Sequence, residues 1–252
     1  MTGELSSFTL FRVFMRSLFL QASWNPQGMQ NLGLAYALYP ALKELYPDPE
    51  KQMAAVRRHL VFFNTHPYVA AAIVGGVLFH EQKIARGEER DDRVVAFKAA
   101  LMGPLAALGD GFFWLSLKPA VGALCAALVP IMSAWAALLF LVLYNAVHFW
   151  LRAKFYFMGL RHGDRLVEEV ARARLPQRGA RLRLIAAVSA GGLAANLAVV
   201  FGLRHSAEYG LWLAAGCLLV GGLSYLLVAR RVPNHVLLFL AAALAVGAGA
   251  LL

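Results

Sequence analysis

The apolar and polar positions of this chain divide it into an amphipathic first quarter and a largely apolar remainder. Residues 8–20 interleave aromatic side chains with two arginines that lie four positions apart, and therefore on one face of a helix. A helix this aromatic and basic is typical of segments that lie in the plane of a membrane interface. Apolar and charged residues continue to separate onto opposite faces after it, so we expect residues 1–63 to form interfacial helices that do not span a membrane.

Two Asx-Pro pairs predict where the next two helices begin. Asn and Asp are preferred at the N-cap position, and proline is favoured at the first helical position because its missing N–H has no partner there. Asn25-Pro26 therefore predicts a helix that runs to about Tyr46, and Asp48-Pro49 predicts the start of the next one.

Two short apolar stretches follow, at residues 69–79 and 101–117, each too short or too interrupted by Gly and Pro for a regular span. A charged linker, residues 83–98, with five basic and four acidic side chains, separates them. Paired, interrupted apolar segments are typical of half-helices that line a transport site, because irregular backbone at membrane depth must be satisfied by protein or by a polar cavity. We expect residues 64–118 to form two re-entrant arms that meet inside the lipid layer.

Longer apolar stretches make up the rest of the chain. Residues 119–151 suit one tilted span or a span with a break near Pro130. Residues 184–203, 211–229 and 235–252 each approach the ~20 residues that a spanning helix needs. The expected fold is a single-domain, all-α integral membrane protein, with interfacial helices, two short half-helices and then about four transmembrane helices.

Composition and charge support a membrane location. The chain is 60% hydrophobic and only 15% charged, whereas soluble domains carry roughly 25% charged residues. The net charge of +10 is concentrated in residues 152–183, which hold nine basic and three acidic residues between apolar segments. Such a segment marks the cytoplasmic side and attracts anionic lipid, so we expect no nucleic-acid binding. The predicted location is the cytoplasmic (inner) membrane, multi-pass, with 152–183 as a cytoplasmic loop and the N-terminus also cytoplasmic.

Three adjacent polar residues, Asn64, Thr65 and His66, precede Pro67 directly before the first short apolar stretch. Proline biases the residue before it toward an extended backbone, which lets neighbouring side chains converge. One interpretation is a hydrogen-bonding pocket for a polyhydroxylated solute, since an Asn amide both donates and accepts. The other is that Thr65 caps the following helix and that His66 is merely packed. The residues alone leave both open.

Two carboxylates lie in or beside the short apolar stretches. Asp110, between two glycines, is either a functional carboxylate at membrane depth or the cap of a half-helix. Glu81 closes the first half-helix, where it could hold a solute hydroxyl, balance a nearby arginine or lie at a solvated boundary. The sequence has no metal-site spacing, nucleophile elbow, Walker loop or dinucleotide fingerprint. We therefore expect no catalytic residue, no metal and no cofactor.

Three motifs carry a resemblance to a known family. SWN at 23–25, RRHLVFFNTHPY at 57–68 and LMGPLAALGD at 101–110 resemble the IID subunit of the mannose/fructose/sorbose-type sugar phosphotransferase system (PTS). The resemblance is ordered over residues 10–120, weaker through 150–230, and returns around 232–234. By matching motif positions, it implies that the substrate-binding residues are Asn64, Thr65, His66, Glu81 and Asp110.

This resemblance implies partners as well as a role. IID subunits pair with a membrane IIC subunit, and together they carry a hexose across the cytoplasmic membrane while soluble IIA and IIB proteins supply the phosphoryl group. A IID subunit has no phosphohistidine of its own, and a hetero-oligomer in the lipid bilayer is expected. Two alternatives stay open: a transport-incompetent scaffold or regulatory membrane protein related to IID, and an independent secondary transporter of a polar solute.

Overall fold

The structure, a computed structural model, describes residues 4–205 and isolated positions between residues 212 and 239. The described residues are helical, without any β-strand beyond two isolated bridges. The chain divides into two compact units, Met1–Ala187 and Val188–Leu252. The spans predicted at 211–229 and 235–252 lie outside the described residues, apart from those isolated positions.

Three helices make up the N-terminal quarter: α1 (Ser7–Ser17), α2 (Asn31–Leu45) and α3 (Pro49–His59). The prediction for α3 is confirmed, because the Asp48 side chain accepts hydrogen bonds from the backbone N–H groups of Glu50 and Lys51, with Pro49 at the first helical position. This cap satisfies two of the N–H groups that a helix start leaves without partners.

The predicted start of α2 is wrong. Asn25 does not cap a helix: its Oδ1 accepts from Gly28 N at 2.7 Å in a turn, and its backbone pairs with Met29. Met29 has a positive φ of 56°, which a helix cannot include. The helix therefore begins six residues later than Asn25, at Asn31.

The following helices are longer and more continuous than predicted. They are α4 (Ala70–Ala85), α5 (Asp91–Gly109), a π-helical segment (Asp110–Leu117), α6 (Lys118–Met132), α7 (Trp135–His162), a 3₁₀ turn (Gly163–Arg165), α8 (Leu166–Arg172) and α9 (Leu175–His205). The stretch at 69–79 is part of a 16-residue helix, which continues because protein partners satisfy the polar residues at its end. The basic segment predicted as a loop is helical for most of its length.

The second predicted arm is not an isolated helix. Helix α5, the π-helical segment and α6 form one helical path from Asp91 to Met132, and the chain breaks at Ser133, which has a φ of 51°. The break thus follows Pro130 by three residues. Two stretches, Asp91–Met132 and Trp135–Leu197, are long and apolar enough to cross a membrane. This agrees with the predicted helical membrane protein.

Helices α4 and α7 run parallel and pack closely. The ring of Tyr68, just before α4, lies 3.6 Å from that of His148, and His80, near the end of α4, faces Asp164 just after α7. Glycines permit the approach, since a Cβ added at Gly159 would collide with the backbone of α4. Small residues at such contacts are typical of helices packed within membranes.

Helix α1 lies antiparallel along α4 and α7. Before its start, Leu5 N donates to Gln82 Oε1 at 3.2 Å, and farther along Tyr156 Oη donates to Leu10 O at 2.9 Å. At its end, Arg152 Nη2 donates to Ser17 O. Helix α1 therefore runs beside α7, which belongs to a candidate span.

Candidate functional site

A buried network surrounds Glu81, whose side chain is fully inaccessible to solvent. The Arg58 guanidinium binds both carboxylate oxygens, with Nε–Oε1 and Nη2–Oε2 distances of 2.8 Å each. Tyr46 Oη donates to Oε2 at 2.8 Å, and His59 Nε2 lies 2.9 Å from Oε1. Four donor groups therefore converge on one carboxylate, which is how a buried charge is made tolerable.

The pKa values of Glu81 and His59 indicate which of the two side chains is charged. Burial raises the pKa of Glu81, but the hydrogen bonds from His59 and Arg58 outweigh burial and lower this pKa to about 2. Burial lowers the pKa of His59 to about 4, because it disfavours the charged imidazole more than Glu81 favours it. At neutral pH, His59 is therefore a neutral ring that donates from Nε2 to a charged Glu81.

Two residues of α5 complete the network. Lys98 Nζ donates to Arg58 O at 2.8 Å and to His59 Nδ1 at 3.2 Å, which requires the proton of His59 to be on Nε2. Arg58 Nη1 reaches Asp91 Oδ2 at 2.7 Å. The network ties α3, α4 and α5 together with the end of α2. Of the sequence alternatives for Glu81, the structure places it against an arginine.

The segment from Asn64 to Pro67 is held in place from two sides. Gln30 clamps Thr65, since Gln30 Nε2 donates to Thr65 O at 2.8 Å and Thr65 N donates to Gln30 Oε1 at 3.1 Å. Thr65 Oγ1 donates to Met102 O of α5 at 3.0 Å. Thr65 does not cap α4, whose start has no side-chain cap. Sequence reasoning missed Gln30, because nothing in its local pattern indicates a contact 35 residues away.

His66 is packed inside the protein. Its ring is 2% exposed, stacks on Phe113 at a centroid distance of 5.1 Å, and lies 4.9 Å from the ring of Trp114. The ring also lies against Gly109, where an added Cβ would collide with it. His66 therefore joins the polar segment to the start of the π-helical segment. Such π-helical insertions are rare and frequently occur at functional sites.

Two polar side chains, one beside His66 and one beside its contact Gly109, have no hydrogen-bond partner among the described residues. Asn64 is exposed, and its amide makes no hydrogen bond to any described residue. Asp110 is half-buried beside Gly109, and its carboxylate likewise has no partner within residues 4–205 and caps no helix. Thr65 and His66 thus contact α5 at Met102 and Gly109, and Asp110 directly follows Gly109. Glu81 lies about 16 Å farther along α4, in the separate network.

These features lie in a chain that matches a known family. The family model for the "PTS system mannose/fructose/sorbose family IID component" matches residues 4–208. The protein belongs to this family. The resemblance seen in the motifs is therefore confirmed, and it covers far more of the chain than the motifs themselves.

The relatives of this IID component are named for different sugars. It is 41% identical over 162 residues to the mannose-specific EIID component of Escherichia coli strain K12, covering 64% of this chain and 56% of that protein. It is 38% identical over 161 residues to the fructose permease IID component of Bacillus subtilis strain 168, covering 64% and 57%. The sorbose-specific EIID component of Klebsiella pneumoniae is 38% identical over 168 residues, covering 66% and 61%. The matched region spans less than two thirds of each relative.

Solved structures have the same fold over nearly the whole chain. A structure of the mannose transporter ManYZ in complex with microcin E492 contains a chain that is 28% identical, with a TM-score of 0.62 and coverage of 98% of this IID component and 97% of that chain. A second structure, described as a membrane protein, is 27% identical with a TM-score of 0.72 and the same coverage. The fold is thus that of a membrane transporter subunit.

Proposed function

We propose that this IID component is the membrane subunit of a phosphoenolpyruvate-dependent sugar phosphotransferase system. It carries a hexose across the cytoplasmic membrane together with a IIC subunit, while IIA and IIB proteins supply the phosphoryl group. The observation that carries this proposal is the polar segment Asn64–Pro67 docked on α5 beside Asp110, in a chain of the IID family. The relatives named for mannose, fructose and sorbose support a hexose as the solute.

Each predicted site residue takes a distinct role. Asn64 and Asp110 bind solute hydroxyl groups, because their side chains have no partner in the described part of the chain. Thr65 shapes the segment through its bond to α5. The ring of His66, stacked on Phe113, supports the segment from the protein interior. Glu81 acts at a distance, by fixing α3 and α4 and thereby the position of the segment between them.

Contacts between the ends of three helices support the predicted orientation in the membrane. Leu5 contacts the C-terminal end of α4 through Gln82, and the same end faces Asp164 through His80. Asp164 lies inside the basic segment 152–183, which positive charge assigns to the cytoplasm. These contacts support a cytoplasmic N-terminus in a multi-pass protein of the cytoplasmic membrane.

The test is sugar binding by the IIC–IID complex. Asn64→Ala removes a free amide and weakens sugar binding at least several-fold, with the complex still assembled. Asn145→Ala is the matched control, because among the described residues the Asn145 amide bonds to its own helix, at Leu141 O, 2.8 Å away. Unchanged sugar affinity in the Asn64 variant, with an intact complex, would refute the assignment.

Uptake into vesicles separates this function from the two alternatives. A phosphotransferase subunit supports sugar uptake only when phosphoenolpyruvate and the soluble phosphoryl carriers are present. A scaffold supports none under any condition, and a secondary transporter works without a phosphoryl donor. The same vesicles, prepared with and without the IIC chain, establish whether the IID component acts alone.

A further inference from the structure

The π-helical segment Asp110–Leu117 is reinforced by one of its own side chains. Ser116 Oγ donates to Gly111 O, the carbonyl five residues earlier, at 2.7 Å. Backbone hydrogen bonds of a π-helix have the same spacing of five residues, so the hydroxyl spans the same wide turn as the backbone. Ser116 is fully buried, and water therefore does not compete for its hydrogen bond.

A second helix reaches the same hydroxyl. Arg183 of α9 donates from Nη1 to Ser116 Oγ at 2.8 Å, across 67 positions of the chain. An arginine has no acceptor and a backbone carbonyl has no donor, so donation runs from Arg183 to Ser116 and on to Gly111. A charged donor makes a stronger hydrogen bond than a neutral one, and it polarises the hydroxyl toward the carbonyl. The cation of α9 therefore strengthens a hydrogen bond inside the π-helical segment.

Helix α9 has a glycine where it approaches this hydroxyl. Gly179 lies one turn before Arg183, on the same face of the helix. A Cβ added at Gly179 would come within 2.9 Å of Ser116 Oγ, so a larger residue would push α9 away from the hydroxyl. Glycine and arginine, one turn apart, thus serve the same contact.

A neighbouring arginine shows what a merely solvated position looks like. Arg181, two positions before Arg183, is exposed, and its side chain makes no hydrogen bond to a described residue. Arg183 is also an exposed residue, but its guanidinium ends on the buried hydroxyl of Ser116. The contact is therefore specific to one arginine of the basic segment.

The π-helical segment is held near both of its ends. Gly109, directly before it, lies against the ring of His66, and Ser116, near its end, is bound by Arg183. Asp110 lies between these two contacts. Each hydrogen bond of a π-helix encloses one residue more than that of an α-helix, so a return to α-helical bonding would turn Asp110 relative to His66.

We propose that Arg183 is a positioning residue for the sugar: through Ser116 it keeps residues 110–117 π-helical, and it thereby holds the Asp110 carboxylate toward a solute hydroxyl. The inference rests on the proposed function, because it takes Asp110 as a sugar ligand. Arg183 itself does not contact the sugar. It acts through a hydroxyl that lies six residues along the chain from the carboxylate.

Sugar binding by the IIC–IID complex tests this role. Arg183→Gln removes the cation and weakens sugar affinity about tenfold, as expected for a displaced ligand group. The KM for uptake rises by the same factor, whereas the maximal rate is retained. Arg183→Lys keeps a charged donor and recovers part of the affinity. Arg181→Gln is the matched control, because it removes the same charge two positions earlier, and its affinity equals that of the wild type.

The variant Ser116→Ala shows whether Arg183 acts through the hydroxyl. It loses affinity by a similar factor, and adding Arg183→Gln to it causes no further loss, because both substitutions break one chain of hydrogen bonds. Since Ser116→Ala changes no charge, it carries the same test if Arg183→Gln does not assemble with IIC. Gel filtration and thermal unfolding of each complex establish assembly and folding.

Trp114 reports the conformation of the segment in the absence of sugar. It is 49% exposed within residues 110–117, and its fluorescence is the difference between each protein and its Trp114→Phe counterpart. The emission maximum shifts with Arg183→Gln and with Ser116→Ala, but not with Arg181→Gln. An arginine that only stabilised α9 would leave this emission unchanged.

The outcomes separate this inference from the proposed function. Absence of sugar binding by the wild-type complex would refute the proposed function itself. With wild-type binding intact, three results would overturn only the inference: equal affinity for Arg183→Gln and the wild type, an equal loss with Arg181→Gln, or additive losses from Arg183→Gln and Ser116→Ala. Unchanged Trp114 emission in Arg183→Gln would overturn it as well, since the segment would then keep its conformation without the arginine.

Discussion

The Arg58 guanidinium holds the Glu81 carboxylate at both oxygens, with two N–O distances of 2.8 Å. The two residues are 23 positions apart and come from different helices, α3 and α4. The segment Asn64–Pro67 connects these two helices. By holding the helices together, the pair also fixes the position of this segment and of the candidate sugar site.

Removing one member of the pair destabilises the protein strongly. Glu81→Gln leaves the half-buried Arg58 without its main counter-charge, so the free energy of unfolding falls by about 3–5 kcal/mol. Thermal unfolding in detergent measures this. Arg57→Gln, next along α3 but exposed, leaves the transition unchanged. Equal transition temperatures for Glu81→Gln and Arg57→Gln would contradict the anchoring role of the pair.

Stability depends on pH through His59. Its pKa in the folded protein is about 4, lowered by burial from 6.5, so the unfolded chain binds the proton more readily between these values. Stability is therefore full above pH 6.5 and falls as the pH drops toward 4. Glu81, with a pKa lowered from 4.5 to about 2, adds a further loss below pH 4.5.

The variant His59→Gln isolates the contribution of His59 to the pH dependence of stability. Gln keeps a donor toward Glu81 but does not titrate, so unfolding midpoints of this variant change less between pH 6.5 and 4 than those of the wild type. Arg58, Lys98 and Glu81, the charged groups that face His59, are unchanged in this comparison. Parallel curves for the two proteins in this range would contradict a neutral, buried His59.

The close contact of α4 and α7 requires glycine. Gly159→Ala places a Cβ against the backbone of α4, so the helices separate and the unfolding free energy falls by about 1–3 kcal/mol, as in other overpacked contacts. Gly103→Ala serves as the control, because open space surrounds that position. Equal unfolding temperatures for the two alanine variants would contradict the close contact between α4 and α7.

We expect Gln30 to position the candidate sugar site without touching the sugar. Gln30→Ala removes both hydrogen bonds to Thr65 and loosens the segment, so sugar affinity of the IIC–IID complex falls several-fold. Gln27→Ala, exposed and three residues earlier, has no such effect. Binding measured by calorimetry on both complexes checks this prediction, and equal affinities would contradict it.

Local signals in the sequence were reliable where a residue acts on its own neighbours. The Asp48 cap is confirmed because its partners, Glu50 and Lys51, follow directly in the chain. The same type of signal failed at Asn25, where the turn to Met29 and the contact of Met29 with Phe63 compete with helix formation. The contact of Met29 with Phe63 therefore selected the turn over the helix, although the local sequence is compatible with both.

Apolar length, charge distribution and motifs are properties of the chain alone, so they predict the helical membrane class, the family and the polar residues that interrupt the apolar stretches. Packing of the folded chain selects which of these residues meet. It places His66 against Gly109 and pairs Glu81 with Arg58. In the described part of the chain, it provides no carboxylate partner for Arg152. The physical reason is that a polar group in an apolar interior is stable only with its partners, and packing between distant helices selects those partners.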